Sequence, residues 1–163
     1  MDYIYIGKFL GTHGLKGEIK LKTDFEYIDK VLKTDFVIFI GNDKKEEYIS
    51  SFRPHKDFYL ISLKGIDNID LIHPYVNENV YIRRSDLNLS SNDYVMEDFL
   101  DKKVYYNDKY LGVISSITNY GSSNYVMEIV GDKELLVPYD NHFIDKVSEC
   151  IYLKNLEGII NED

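Results

Sequence analysis

The segment Gly7-Lys8-Phe9-Leu10-Gly11-Thr12-His13-Gly14-Leu15-Lys16-Gly17-Glu18-Ile19-Lys20-Leu21-Lys22 decides how this chain is to be read. On its N-terminal side, Tyr3 to Phe9 alternates aromatic or apolar residues with others, as a short strand does. On its C-terminal side, Glu18-Ile19-Lys20-Leu21-Lys22 alternates with period two and predicts a half-buried strand. Gly14 and Gly17 between them suit positive φ, which permits a tight turn and close approach of another molecule. Lys20 and Lys22 share one face of the second strand because side chains repeat every two residues; Lys16 precedes them on the loop. Two readings are open at this point. Either the glycines serve only the turn and the lysines solvate a polar face, or the loop presents positive charge to a partner.

Working outward, the chain reads as a series of short strands. Phe36–Ile40, Tyr48–Phe52, Phe58–Leu63 and Val80–Ile82 follow the opening hairpin, with Gly41-Asn42-Asp43 and Pro54-His55-Lys56-Asp57 as turns. Residues 25–34 carry weak helical spacing. Asp67 is expected to cap a short helix containing Ile69, Leu71 and Ile72, ended by Pro74. The polar run Ser85 to Asp93 lacks sustained periodicity and reads as a linker. Beyond it come strands at Lys103–Tyr106, Leu111–Thr118, Asn124–Val130, Glu134–Val137 and Ile151–Leu153, and a short helix is expected within His142–Val147. Many short strands separated by turns predict an all-β protein of small barrels.

Charge divides the chain at the same place. Net charge is −9 over 163 residues. Residues 1–84 hold 13 Lys+Arg against 13 Asp+Glu, while residues 85–163 hold 6 against 15, so the whole excess lies in the second half. Such asymmetry implies two modules with different partners. No apolar run approaches the ~20 residues of a membrane-spanning helix. Met1-Asp2 offers no basic n-region of a secretory signal, and the one cysteine, Cys150, fits a reducing compartment. A cytoplasmic protein is expected.

Catalytic chemistry finds little to stand on. His13, His55, His73 and His142 are scattered, and no His/Cys/Asp grouping has metal-ligand spacing. Nucleophile elbows, phosphate loops and dinucleotide fingerprints are absent. A metal or cofactor is therefore not expected. His13 in its glycine loop could act as a base near neutral pH, but loop shaping or partner contact is the stronger reading.

The string His13-Gly14-Leu15-Lys16-Gly17-Glu18, with Gly7, Gly11 and Thr23-Asp24, resembles the opening signature of the RimM ribosome maturation factors. The resemblance continues through Arg53, Phe58–Leu63, Gly65-Ile66-Asp67 and the strand ending at Arg84, with Asn77 where the family usually has glycine. His73-Pro74 departs from the family's usual helix. In the second half it rests on Leu111-Gly112, Gly121 before Tyr125-Val126, Leu136-Val137-Pro138-Tyr139 and Leu156-Glu157-Gly158-Ile159-Ile160. It implies an N-terminal barrel akin to those of translation factors over residues 1–84, a linker over 85–93, and a C-terminal PRC barrel over 94–163.

It also implies a non-enzymatic, monomeric assembly factor for the small ribosomal subunit. Such a factor binds the immature 30S particle and 16S rRNA, and the small-subunit head protein numbered nineteen. RNA contact is assigned to His13, Gly14, Lys16, Gly17, Lys20 and Lys22. The protein partner is assigned to Tyr94, Val95, Met96, Glu97, Asp98 and Phe99, with Leu100, an apolar centre in an acidic rim. The family's second tyrosine is replaced by Val95. Two alternatives are a PRC-barrel adaptor unrelated to ribosomes and a small hydrolase using His13. Separate folding is expected: fragments ending near Arg84 and starting near Ser91 should each give dispersed amide spectra, and collapse of both fragments alone would refute the division.

Overall fold

The computed structural model describes residues 2–122 and 124–160. The chain divides into two compact units, Met1–Leu89 and Ser90–Asp163. Each is built from six strands.

In the first unit the strands are β1 (Tyr3–His13), β2 (Glu18–Lys22), β3 (Val37–Ile40), β4 (Lys45–His55), β5 (Phe58–Leu63) and β6 (Asn79–Arg83). Their order is β1-β2-β5-β4-β3-β6, and β6 returns to pair with β1, so the ring of antiparallel ladders closes. Alternation supplies the interior: Ile4 and Ile6, Ile19 and Leu21, Ile38 and Ile40, Val80 and Ile82 are all buried. Strand β1 must serve two neighbours, and its register shifts between Tyr5 and Gly7 on the β6 side and between Phe9 and Thr12 on the β2 side. Such bulges bend a strand and let it turn a barrel corner. At Gly7 a Cβ would lie far inside contact with the Lys22 carbonyl oxygen. Only glycine lets the two backbones approach this closely.

Two four-residue helices, α1 (Ile28–Val31) and α2 (Ile69–Ile72), fill the long connections. The expected cap at Asp67 lies one residue too early. Asn68 holds the N-cap position, with its Oδ1 accepting from the Leu71 N–H at 3.1 Å. Pro74 sits inside a following 3₁₀ turn, His73–Tyr75. Asn77 adopts φ +70°, a left-handed conformation that asparagine tolerates well.

The expected linker, residues 85–93, is structured rather than extended. Arg84–Leu87 forms a 3₁₀ turn, Leu87 is buried, and left-handed Asn88 ends the turn. Asp93 then accepts from both the N–H and the hydroxyl of Ser90 at 3.0 Å. A fragment of the first unit should therefore run to Leu89.

The second unit contains β7 (Lys103–Tyr106), β8 (Lys109–Asn119), β9 (Tyr125–Val130), β10 (Glu134–Pro138), β11 (Ile144–Val147) and β12 (Ile151–Leu153). The sheet order is β10-β9-β8-β7-β12-β11, with β12 parallel to β7. No ladder joins its edge strands β10 and β11 among the described residues. Phe99, Val104, Ile114, Met127, Ile129, Val137, Ile151 and Leu156 form its core. The helix expected in His142–Val147 is instead β11. A single turn, with Ile144 N–H donating to Asp140 C=O at 3.0 Å, gives way to pairing of Ile144 with Leu153 and Val147 with Ile151. So short a helix cannot stand alone, whereas a strand finds partners at once. Gly112 (φ +142°) faces the Val130 carbonyl, where again no Cβ fits.

These close approaches make a direct test. Gly7→Ala and Gly112→Ala are each expected to destabilise the chain by about 2–4 kcal/mol in denaturant unfolding. Gly11, whose Cβ would meet nothing within 4 Å, provides the control. Gly11→Ala should stay within about 0.5 kcal/mol of the parent.

Candidate nucleic-acid interface

Strands β1 and β4 each run 11 residues, and their last residues, His13 and His55, meet. The imidazole centroids lie 4.9 Å apart at an interplanar angle of 56°. His13 is registered opposite Glu18 at the start of β2, and His55 opposite Phe58 at the start of β5. Glu18 accepts two hydrogen bonds from Arg53, one from Nε and one from Nη2, each 3.0 Å. This bidentate pair ties the loop end of β2 to β4. Two places along the strand, Lys20 sets its ammonium over the Phe58 ring at 5.7 Å. Lys22 is opposite Lys8, so the same edge carries a further cation.

The loop between β1 and β2 is held from beneath. Gly17 (φ +90°) packs so closely on Ile66–Asn68 that a Cβ would lie 2.9 Å from the Ile66 carbonyl oxygen. The Leu15 carbonyl accepts from the Ile69 N–H at 3.1 Å. Gly17 is buried and its freedom is spent on this chain's own backbone, so the assignment of Gly17 to partner contact is corrected. Gly14, Leu15 and Lys16 form the exposed tip, with Leu15 76% exposed. The loop thus projects Lys16 and an apolar side chain, while Lys20, Lys22 and His13 stand along the strands behind it.

Electrostatics follow from these contacts. The hydrogen bond from Arg53 holds the Glu18 carboxyl below its ordinary value, with help from the nearby cation and the two imidazoles. Partial burial pushes the His55 imidazole down, and His13, Lys56, Arg53 and Lys20 push it the same way. His55, Arg53, Lys56 and Lys8 had no sequence signal marking them as part of this site. They enter it through strand register, which joins positions some 35 residues apart, as in the Arg53–Glu18 pair.

The assigned protein-partner segment is divided by the fold. Met96–Phe99 is a 3₁₀ turn, and the Asp98 carboxylate accepts from the Val95 N–H at 3.0 Å. Val95 and Phe99 are buried, at 1% and 0% exposure, so neither can touch a partner. Leu100 is 43% exposed. Tyr94 is half-buried. Its ring packs on Phe99 at 5.1 Å and Tyr139 at 6.3 Å, and its hydroxyl lies 3.2 Å from Asn141 Oδ1. Val95 enters the turn and Leu100 leaves it in extended conformation, with Val95 and Phe99 turned inward and Glu97 and Leu100 left exposed. Among the described residues no group of three or more His, Cys, Asp or Glu side chains could hold a metal ion. None of the helices among them is long and apolar enough to cross a membrane.

Two six-stranded units, with a basic loop end on the first and an acidic second half, define an all-β protein assembled from small β domains. The family description "RimM N-terminal domain" matches residues 4–87. The ribosome maturation factor RimM of Ligilactobacillus salivarius is 32% identical, over 98% of this chain and 99% of its own. That of Exiguobacterium sp. is 28% identical over 100% of this chain and 99% of its own. A RimM crystal structure from Pseudomonas aeruginosa aligns at 23% identity and a TM-score of 0.49, covering 93% of this chain and 96% of its own. The chain belongs to the RimM family.

Two measurements check the geometry. Phe99→Ala should cost about 3–5 kcal/mol of stability, as for truncation of any buried aromatic ring. Tyr94→Ala should cost less, because its ring is only half covered, yet it should still lower the melting temperature. For Glu18 the folded carboxyl titrates lower than the unfolded one, so its stabilising contribution is full above the ordinary value of 4.5 and fades as pH falls below it. Glu18→Gln should therefore lower stability slightly at pH 7 and leave it unchanged near pH 2.

Proposed function

We propose that this protein is an accessory factor in maturation of the small ribosomal subunit, acting by binding rather than by bond chemistry. The observation that carries this reading is similarity over nearly the whole chain to proteins named ribosome maturation factors, with both units included. The loop end of the first unit, with His13, Gly14, Lys16, Lys20 and Lys22, contacts 16S rRNA in the immature 30S particle. Its cations stand on rigid strands and hold a defined spacing towards a phosphate backbone.

The second unit, a PRC-type domain, takes a basic small-subunit protein, the head protein numbered nineteen. Acidic charge there favours fast, oriented capture of a basic partner. The contact surface is Met96, Glu97 and Asp98 with the outward Leu100, supported from below by Tyr94, Val95 and Phe99. Assistance of this kind needs different affinities for immature and mature particles. The protein works as a cytoplasmic monomer, with the two units as separable domains.

Sucrose-gradient fractionation tests the reading as a whole. The protein should travel with free small subunits and not with mature ribosomes, and migration with neither would refute it. Neutralising Lys16, Lys20 and Lys22 together should weaken binding to immature subunits. The slope of log affinity against log salt should also flatten, by about one unit for each phosphate that is no longer neutralised. Glu97→Gln with Leu100→Ala should slow capture of the basic protein while leaving the melting temperature in place.

A further inference from the structure

The histidines at the ends of β1 and β4 are not explained by a loop that binds through lysines alone. His13 and His55 face each other at 4.9 Å, both half-buried, at the terminus of the unit that carries the exposed loop. The charged groups that act on His55 are positive, while the turn that follows it also carries Asp57. Arg53 and Lys56 come from the β4 end and its turn, Lys20 and Glu18 from β2, and the His13 imidazole acts on His55. The segment packed beneath the loop contributes Asp67 to the chain at Ile66–Asn68. Glu18 is already committed to Arg53 through two hydrogen bonds. The pair therefore sits among three cations, and the Glu18 carboxylate beside it is engaged elsewhere.

Partial burial and the neighbouring His13, Lys56, Arg53 and Lys20 hold the His55 imidazole below its ordinary value, so a proton added there meets like charges. An arriving anion reverses this balance. A phosphate seated between the imidazoles, Lys20 and Lys56 would accept N–H hydrogen bonds from protonated rings and offset the crowded charge. Binding and proton uptake then become one event.

We propose that the His13–His55 end of the first unit is a phosphodiester-binding site for RNA that takes up a proton as it binds. The proposal rests on the rRNA-binding reading above and deepens it. The lysines supply attraction that is insensitive to pH in the neutral range. The histidine pair supplies a component that grows as pH falls from about 7.5 to 5.5, the range in which imidazoles titrate. The sign is fixed by linkage. The bound pair titrates higher than the free pair, so the added affinity is largest at low pH and is lost as pH rises through the bound value. Uptake of one proton corresponds to about a tenfold change in affinity per pH unit within that window.

The test uses the intact protein, a 16S rRNA transcript and fixed salt, with affinity measured from pH 5.5 to 7.5. The expected result is tightening by about tenfold over one unit, abolished in His13→Asn/His55→Gln, while the salt slope set by the lysines stays. Binding that responds to salt but not to pH would overturn the proton-linked site and leave the rRNA reading standing. An absence of RNA binding at every pH would overturn both. A second measurement needs no variant. The imidazole resonances of His13 and His55 are titrated with the transcript absent, with a short single-stranded RNA, and with inorganic phosphate. Both titrations should move to higher pH with RNA. If they stay put, or respond only to inorganic phosphate, the assignment to RNA fails.

Discussion

Ring closure through β1 is the constraint on which the first unit depends. One 11-residue strand must pair with β2 on one side and β6 on the other, and it manages this by bulging twice. Gly7 permits the tight approach to the Lys22 carbonyl that this requires. Once β1 is set, His13 lies opposite Glu18, and Lys8 opposite Lys22. The positions of the site's cations are thus consequences of a backbone packing requirement. A flexible loop bearing the same lysines would lose more conformational entropy on binding and would hold no fixed spacing.

The long strands explain why the candidate site collects at one end. Strands β1 and β4 extend to His13 and His55, where pairing stops and side chains face outward. The ion pair between Glu18 and Arg53 lies at the surface, so its worth in stability is small. Its larger effect is positional. It fixes the guanidinium and engages the Glu18 carboxylate. Gly17 performs a related service by letting the loop rest on Ile66–Asn68.

In the second unit a single short turn separates buried from exposed side chains. Phe99, Tyr94 and Tyr139 form an aromatic cluster with centroids 5.1–6.3 Å apart, which anchors the turn to the core. Edge-to-face packing of this kind stabilises beyond simple burial. Glu97 and Leu100 stand exposed beside that base.

Alternation in sequence determined the strands themselves. β2 begins and ends where its period-two pattern does, because burial of one face of a strand leaves its mark on every second residue, and β5, β7 and β12 span the short apolar and aromatic runs between turns. The glycine string and the two-part charge balance were equally legible, since both are local or additive properties. Tertiary structure alone decided that residues 144–147 pair as a strand, because the deciding partner, β12, supplies hydrogen bonds and not a pattern. It also decided that Val95 and Phe99 face the core while Leu100 faces solvent, an outcome of turn geometry that apolar character cannot reveal. The meeting of His13 with His55 belongs to the same class. Their separation in sequence is bridged only by the order β1-β2-β5-β4 and the register along it, and register is a property of paired strands rather than of any one of them.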